Sequence, residues 1–439
     1  MIARLKSVTS HSGFRRYGAN TLWLFGERIL RMFVGLFVGV WITRYLGPEQ
    51  FGIWSYVQSF VGLISVIAGL GLDSILVREL VKDESKRDQL LMTAFWMKVC
   101  GALLAIFIIG ISTLFMSNGS YVNTLIFIFA SSIIFQAFNV IDFYFQSRVI
   151  SKFMVYVNLT GLLFSTAVKI ILVLSNAPLI AFVWTAIFDG IVITTGMIYF
   201  YIKYTQSDLF HLFKTFHLQR SAALALLKES WPLILSGLVV AVYLKIDQVM
   251  IMKMMDAEAV GIYSAAIRLS EIWYFIPTII ASSLWPSLIA AREKDIKLYE
   301  IRLLTLLKFL FLISLAIVLV LVPFSANLLD FLYGKEFVEG SLVLSIHILG
   351  SIFAFSGIAT GNWFILENLQ KMTLRRTAAG AIINIILNLI LTPIYGIVGA
   401  AIATLISQII ASYLFNAFNI KTRRLFVLQS KAFLFRRSI

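Results

Sequence analysis

Charge is what this chain of 439 residues has least of: Asp, Glu, Lys and Arg fill 13% of its positions, where an ordinary soluble domain has about a quarter. With 60% hydrophobic residues beside that shortage, a soluble fold is excluded, because there is too little polar surface to cover so large an apolar mass. Cysteine is nearly absent. Cys100 stands alone, which excludes an internal disulfide and a stapled, oxidised exterior domain; its place inside an apolar run points to buried packing. Histidine is sparse and scattered: His11, His211 and His217 lie in polar arms or loops, and His347 lies in an apolar run where it could relay protons or serve as a core histidine. No GxxxxGK[ST] loop, HExxH pair or cysteine pair occurs, so nothing argues for ATP hydrolysis, a catalytic metal or another enzyme chemistry, and no cofactor is expected.

What the chain does have is long apolar runs, each able to cross about 30 Å of hydrocarbon as a helix. Spans are expected at about 20–44, 50–76, 90–115, 121–147, 154–175, 179–203, 231–254, 259–290, 302–322, 341–367, 374–393 and 396–419. The basic N-terminal arm leads into the first span without a small-residue cleavage site, which reads as an uncleaved first helix. The net charge of +15 raises nucleic acid as a partner, but the basic residues sit in short clusters between apolar runs and not on a polar domain. With twelve spans, 27 of the 37 Lys and Arg residues fall on the side shared by both termini, and Arg44, Lys253 and Lys335 on the other. Positive residues stay cytoplasmic, so both termini are expected there. The exterior loops are short and leave no room for a folded soluble domain.

The stretch "YLGPEQFGIWSY" at 45–56 returns as "MMDAEAVGIYSA" at 254–265. At an offset of 209, Glu49 meets Glu258, Gly52 meets Gly261, Ile53 meets Ile262 and Ser55 meets Ser264. The repeat predicts an all-α chain of two six-helix halves in the same orientation: an N-terminal lobe at 1–203, a cytoplasmic linker at 204–230, and a C-terminal lobe with a basic tail at 231–439. Each corner reads as a helix end followed by a helix start, with Gly47 as terminator, Pro48 at a first helical position and a glutamate near the positive helix end. The acidic pair Asp256 and Glu258 could hold a metal in a glycosyltransferase, but helix capping accounts for it more simply. Small-residue pairs, Gly396 with Ala400 and Gly399 with Ala403, favour close helix packing in lipid.

Charges inside spans are costly and usually face a cavity or a partner. Glu27 and Arg31 are four apart and can pair, and Arg28 lies on the same helical face as Arg31. Further intramembrane ions are Lys98, Asp142, Lys169, Asp189, Lys245, Asp247, Arg268 and Glu271; Arg268 with Glu271 could simply neutralise each other. Arg28, Lys98 and Lys169 have no acidic neighbour at helical spacing. Cations of this kind around a solvated cleft suit an anion, and the arginine fork suits phosphate oxygens.

The run "YLGPEQFGIWSYVQSFVGLISVIAGLGLDSILVREL" after an arginine-bearing first helix, together with the second corner and "TPIYGIVGAAIATLIS", resembles the polysaccharide-transporter branch of the multidrug/oligosaccharidyl-lipid/polysaccharide exporter superfamily. The resemblance implies twelve helices in two six-helix lobes related by a pseudo-two-fold axis. It also implies a flippase carrying undecaprenyl-pyrophosphate-linked repeat units, such as O-antigen units for lipopolysaccharide, across a bacterial inner membrane by alternating access. Its partners would be that lipid-linked oligosaccharide and membrane lipids, with polymerase and chain-length components, and no nucleic acid. On the residue reading, Arg28, Arg31, Lys98, Arg268 and Lys169 would bind the pyrophosphate, and Asp247, Glu271, Asp189 or Glu27 would couple the cycle to protons or sodium. A cation-coupled drug antiporter of the same superfamily and an integral glycan polymerase are the competing functions.

Overall fold

A computed structural model describes residues 12–116, 118–206 and 220–435. His11, His211, His217 and residues 207–219 of the expected 204–230 linker lie outside the described residues. Within them the chain is all-helical, with no strand, as a bilayer requires of any chain that must satisfy its backbone groups internally. The helices are α1 (Ser12–Gly69), α2 (Asp73–Lys82), α3 (Arg87–Phe115), α4 (Ser120–Ser131), α5 (Val140–Ser147), α6 (Lys152–Leu174), α7 (Leu179–Thr205) and α8 (Arg220–Met254). They continue as α9 (Ala257–Glu271), α10 (Phe275–Lys294), α11 (Ile296–Leu321), α12 (Ser325–Tyr333), α13 (Ser341–Leu366), α14 (Gln370–Ser412) and α15 (Ile420–Phe433). Among the described residues, 10 helical segments are long and apolar enough to cross a membrane, and the protein is a multi-pass membrane protein.

Helix α3 illustrates how such a chain packs. Its buried face carries Lys98, Gly101, Ala102, Ala105 and Thr113, while Trp96, Leu103, Phe107, Ile111 and Leu114 point outward. The inner face mixes these small and polar residues with Leu91, Phe95 and Ile109, and bulky apolar residues also face outward, because lipid tails accept a leucine as readily as a protein core does. Cys100 is exposed on this outward side, not buried as its apolar setting suggested.

Two of the long helices contain a glycine with left-handed backbone: Gly47 in α1 at φ 68° and Gly396 in α14 at φ 59°. Only glycine takes that geometry without a Cβ penalty, so each marks a corner inside a nominally continuous helix. The corner at Asp256 is capped by side chain: its carboxylate accepts from the Ala259 amide at 2.8 Å, which uses the acidic pair as a helix start. The run expected as one span at 121–147 is α4 and α5 joined by a 3-10 stretch, Ser132–Asn139. The basic tail, expected only as a tail, contains α15, whose Leu425, Leu428 and Gln429 are buried.

The chain forms two compact units, Met1–Tyr45 with Phe60–Leu238, and Leu46–Ser59 with Val239–Ile439. The core of the first gathers Leu72, Leu76, Phe95, Tyr144, Phe145 and Tyr201. In it, α1 and α2 run antiparallel to the first part of α8: a Cβ on Gly237 would lie 2.9 Å from Val66, one on Gly71 would lie 2.8 Å from Leu233, and Arg78 pairs with Glu229 at 2.6 Å. The core of the second unit gathers Leu303, Leu307, Phe355, Trp363, Phe364 and Leu425.

The repeated corners meet inside the second unit. A Cβ on Gly52 would stand 1.7 Å from the Ala257 carbonyl oxygen, and a Cβ on Gly261 would stand 1.9 Å from the Pro48 carbonyl oxygen. Under the 209-residue offset Pro48 corresponds to Ala257, so the contact is reciprocal and self-complementary. Bare backbone touches bare backbone, with each glycine Cα–H facing a carbonyl. Gly52→Ala or Gly261→Ala should therefore force the helices apart and cost about 3 kcal/mol. By contrast, Gly62→Ala, with nothing within 4 Å of its Cβ, should be neutral or stabilising through helix propensity. Thermal unfolding of the purified variants in detergent separates the two outcomes, and equal melting temperatures for all three would refute the contact.

Candidate functional site

In the first unit the intramembrane ions are mostly tied to one another. Arg31 donates through Nε to Glu27 at 2.8 Å. Arg28, one residue on from Glu27, is exposed and has no partner among the described residues. Lys98 is 2% exposed; its ammonium reaches Asp73 at 3.2 Å and lies 4.8 Å from the Phe143 ring centre. Lys169 donates to the Ser165 hydroxyl at 2.6 Å and lies 3.3 Å from Asp189, which also accepts from Ser165 at 3.0 Å. Lys98 and Lys169 are thus not leftover cations. Their carboxylates stand 25 and 20 positions away in sequence, on neighbouring helices, where helical spacing could not reveal them.

The 3-10 stretch between α4 and α5 opens onto a cavity of about 770 Å³ with a mixed lining, Asp73, Ser74, Asn139, Asp142, Gln146 and Asn158 beside the apolar Val77, Phe143, Ile193 and Met197. Gln146 donates to Asp142 at 2.9 Å. Asp142 also lies within electrostatic reach of Asp73 and of Glu27 on α1. The volume falls in the range of small-molecule sites, about 300–1,000 Å³.

The second unit holds a different arrangement around Asp247, which is 7% exposed. Its carboxylate accepts from the Tyr263 hydroxyl at 2.8 Å, the Thr404 hydroxyl at 2.5 Å and the Asn388 amide at 2.9 Å. The Asn388 amide also reaches the Asn384 backbone carbonyl at 3.0 Å, and Thr392 donates to the Asn388 side-chain oxygen at 3.0 Å. Three helices, α8, α9 and α14, supply this neutral cage, and among the described residues no Lys or Arg pairs with the acid. Three neutral hydrogen-bond donors, rather than an opposite charge, offset the cost of burying this carboxylate. No cluster of three or more His, Cys, Asp or Glu exists among the described residues.

Asn384, Asn388 and Thr392 escaped the sequence reading, though their spacing of four marks one polar stripe along an apolar helix. Arg268 and Glu271 are both exposed and form no ion pair among the described residues, so they do not neutralise each other by contact; Lys245 and Arg268 both act on Glu271 at longer range. His347 shares a hydrogen bond of 3.0 Å with Ser270. Arg376, near the start of the span expected at 374–393, is 8% exposed and stacks on Phe364 at 4.5 Å.

Residues 17–291, more than half of the sequence, match the family described as polysaccharide biosynthesis protein, and residues 232–390 match the MatE family. The chain belongs to the polysaccharide biosynthesis protein family. Within the larger superfamily of multidrug, oligosaccharidyl-lipid and polysaccharide exporters, this member is similar to the probable flippase AglR of Haloferax volcanii, with 26% identity over 408 residues, covering 89% of this chain and 80% of that one. Its fold is that of an inward-facing multidrug resistance MATE family transporter (TM-score 0.71, 15% identity, 91% of this chain and 96% of the other). It equally resembles the lipid II flippase MurJ in an inward closed conformation (TM-score 0.68, 18% identity, 95% and 91% covered).

The Lys169 to Asp189 pair lends itself to a double-mutant cycle. Lys169→Met alone should destabilise the protein by about 2 kcal/mol, and adding Asp189→Asn should restore part of that loss; additive losses in thermal unfolding would show the two side chains to be energetically independent.

Proposed function

We propose that this family member is a flippase for lipid-linked oligosaccharide, moving polyprenyl-pyrophosphate-linked repeat units from the cytoplasmic to the outer leaflet by alternating access. The observation that carries this reading is an exposed arginine pair on α1, Arg28 without a partner among the described residues and Arg31 held by Glu27, in a chain of the polysaccharide biosynthesis protein family. The likeness to the probable flippase AglR over most of the length supports it. Guanidinium forks match the oxygens of a diphosphate. Lys98 and Lys169, already tied to carboxylates, serve as structural cations in this reading, while Arg268 in the second unit offers the same fork chemistry separately.

The proposed topology has twelve passes with both termini cytoplasmic and six-helix lobes at 1–203 and 231–439. A helix of the 58 residues of α1 would be about 87 Å long at 1.5 Å per residue, far beyond one crossing, and its corner at Gly47 divides it. The 43 residues of α14, about 65 Å, divide likewise at Gly396. In a bacterial inner membrane the carrier would be undecaprenyl pyrophosphate and the cargo O-antigen or a related polysaccharide unit, handed to polymerase and chain-length components.

Asp247 is the proposed coupling group, taking a proton or sodium into its neutral cage; Glu271 and Asp189 are secondary candidates. The MatE match over residues 232–390 and the fold shared with a MATE transporter favour one second reading, a cation-coupled drug antiporter.

Loss of the protein should make lipid-linked oligosaccharide accumulate on the cytoplasmic leaflet, whereas altered dye export with normal glycan selects the antiporter. Arg28→Ala with Arg31→Ala, at unchanged membrane abundance, should abolish surface polysaccharide; undiminished polysaccharide would remove the arginines from the site. Asp247→Asn keeps the volume and removes the charge, so it should leave abundance unchanged and stop transport. Transport that persists in this variant excludes Asp247 as the coupling group.

A further inference from the structure

The cavity of the first unit has the wrong charge for a phosphate. Asp73 and Asp142 line it, Glu27 lies within electrostatic reach, and the nearby ammonium of Lys98 is already occupied by Asp73. A pyrophosphate placed there would face carboxylates with no free cation to answer it.

The same walls are suited to hydroxyl groups. Ser74, Asn139 and Asn158 have no hydrogen-bond partner among the described residues, and each amide offers a donor and an acceptor side by side. Asp142 keeps acceptor capacity beyond its bond from Gln146, and Phe143 adds a flat apolar surface. Ser74 is exposed and both asparagines are partly exposed, so their hydrogen-bonding capacity is open to a ligand or to water. Carboxylates and amides together with the apolar Ile193 and Met197 around about 770 Å³ match the paired donors and acceptors and the apolar faces of a neutral sugar.

Position agrees with the chemistry. Val77 and Gln146, at the edge of the cavity, adjoin the basic segments 78–87 and 148–152 that the charge distribution assigns to the cytoplasm. Glu27 of α1 lies within electrostatic reach of Asp142, so an anionic linkage at Arg28 and Arg31 would leave the glycan on the side of this cavity.

From this geometry we infer that the cavity bounded by Asp73, Asn139, Asp142, Gln146 and Asn158 is a subsite for the uncharged glycan of the cargo, separate from the groups that hold its pyrophosphate. The inference rests on the flippase reading for the identity of the cargo. Two sets of contacts then divide the ligand: arginines grip the part common to every lipid-linked unit, and the amide and carboxylate recess reads the part that differs.

The test uses the full-length protein in lipid nanodiscs and two probes: neutral oligosaccharide released by mild acid from the host's own lipid-linked pool, and undecaprenyl pyrophosphate bearing no sugar. Wild type should bind both. Asn158→Ala and the isosteric Asp142→Asn should each weaken the oligosaccharide at least about tenfold, equivalent to about 1.4 kcal/mol, and leave the sugar-free lipid within about twofold. Thermal unfolding of each variant guards against loss of fold, and Asp142→Asn, which preserves volume, keeps the test decisive if Asn158→Ala does not fold. Oligosaccharide binding that is absent in wild type, unchanged in both variants, or lost together with lipid binding overturns the subsite; so does sodium binding at this cavity with no glycan binding. Failure of the flippase reading looks different: glycan still binds in a variant-sensitive way, but no sugar-free lipid binds and no lipid-linked oligosaccharide accumulates when the protein is lost.

Discussion

Two glycines let two helices touch along their backbones, and the second unit is assembled on that contact. Gly52 and Gly261 each present a Cα to the carbonyl of the residue that opens the other corner, Ala257 or Pro48. In lipid no hydrophobic force drives helices together, so close backbone approach and the dispersion it gains must do so. The contact also explains why the chain writes the same corner twice. A self-complementary surface needs the same residues on both sides, and any Cβ at either glycine would separate them.

With helices packed through small residues, polar side chains inside the units become possible, and the structure uses them in two ways. Lys98 with Asp73, and Lys169 with Asp189 and Ser165, are compensated ions that join neighbouring helices of the first unit. Asp247 is instead surrounded by neutral hydroxyls and amides. A compensated pair carries its counter-charge on the neighbouring helix, whereas Asp247 is held by neutral donors on α9 and α14.

The helices, the corners and the bilayer habit could be read from the sequence because each is a local pattern: long apolar runs, Gly-Pro at a helix end, Asp256 before a helix start. The polar stripe of Asn384, Asn388 and Thr392 was equally local and was overlooked, since amides in an apolar run carry no charge to draw attention. The partners of Lys98 and Lys169 were not legible, because they lie on other helices and only packing sets the distance. The cavity was hidden for the same reason, its walls coming from α2, the 3-10 stretch, α5, α6 and α7. Cys100 was misjudged because an apolar neighbourhood in a bilayer protein says nothing about inside or outside.

The reciprocity of the corner contact has an ancestral meaning. Residues related by the 209-residue offset exchange the same interaction, as identical chains do across a dyad. A contact of that form fits a gene that once encoded a single half and worked as a homodimer, with one glycine meeting its own copy before duplication and fusion made the two positions separately mutable.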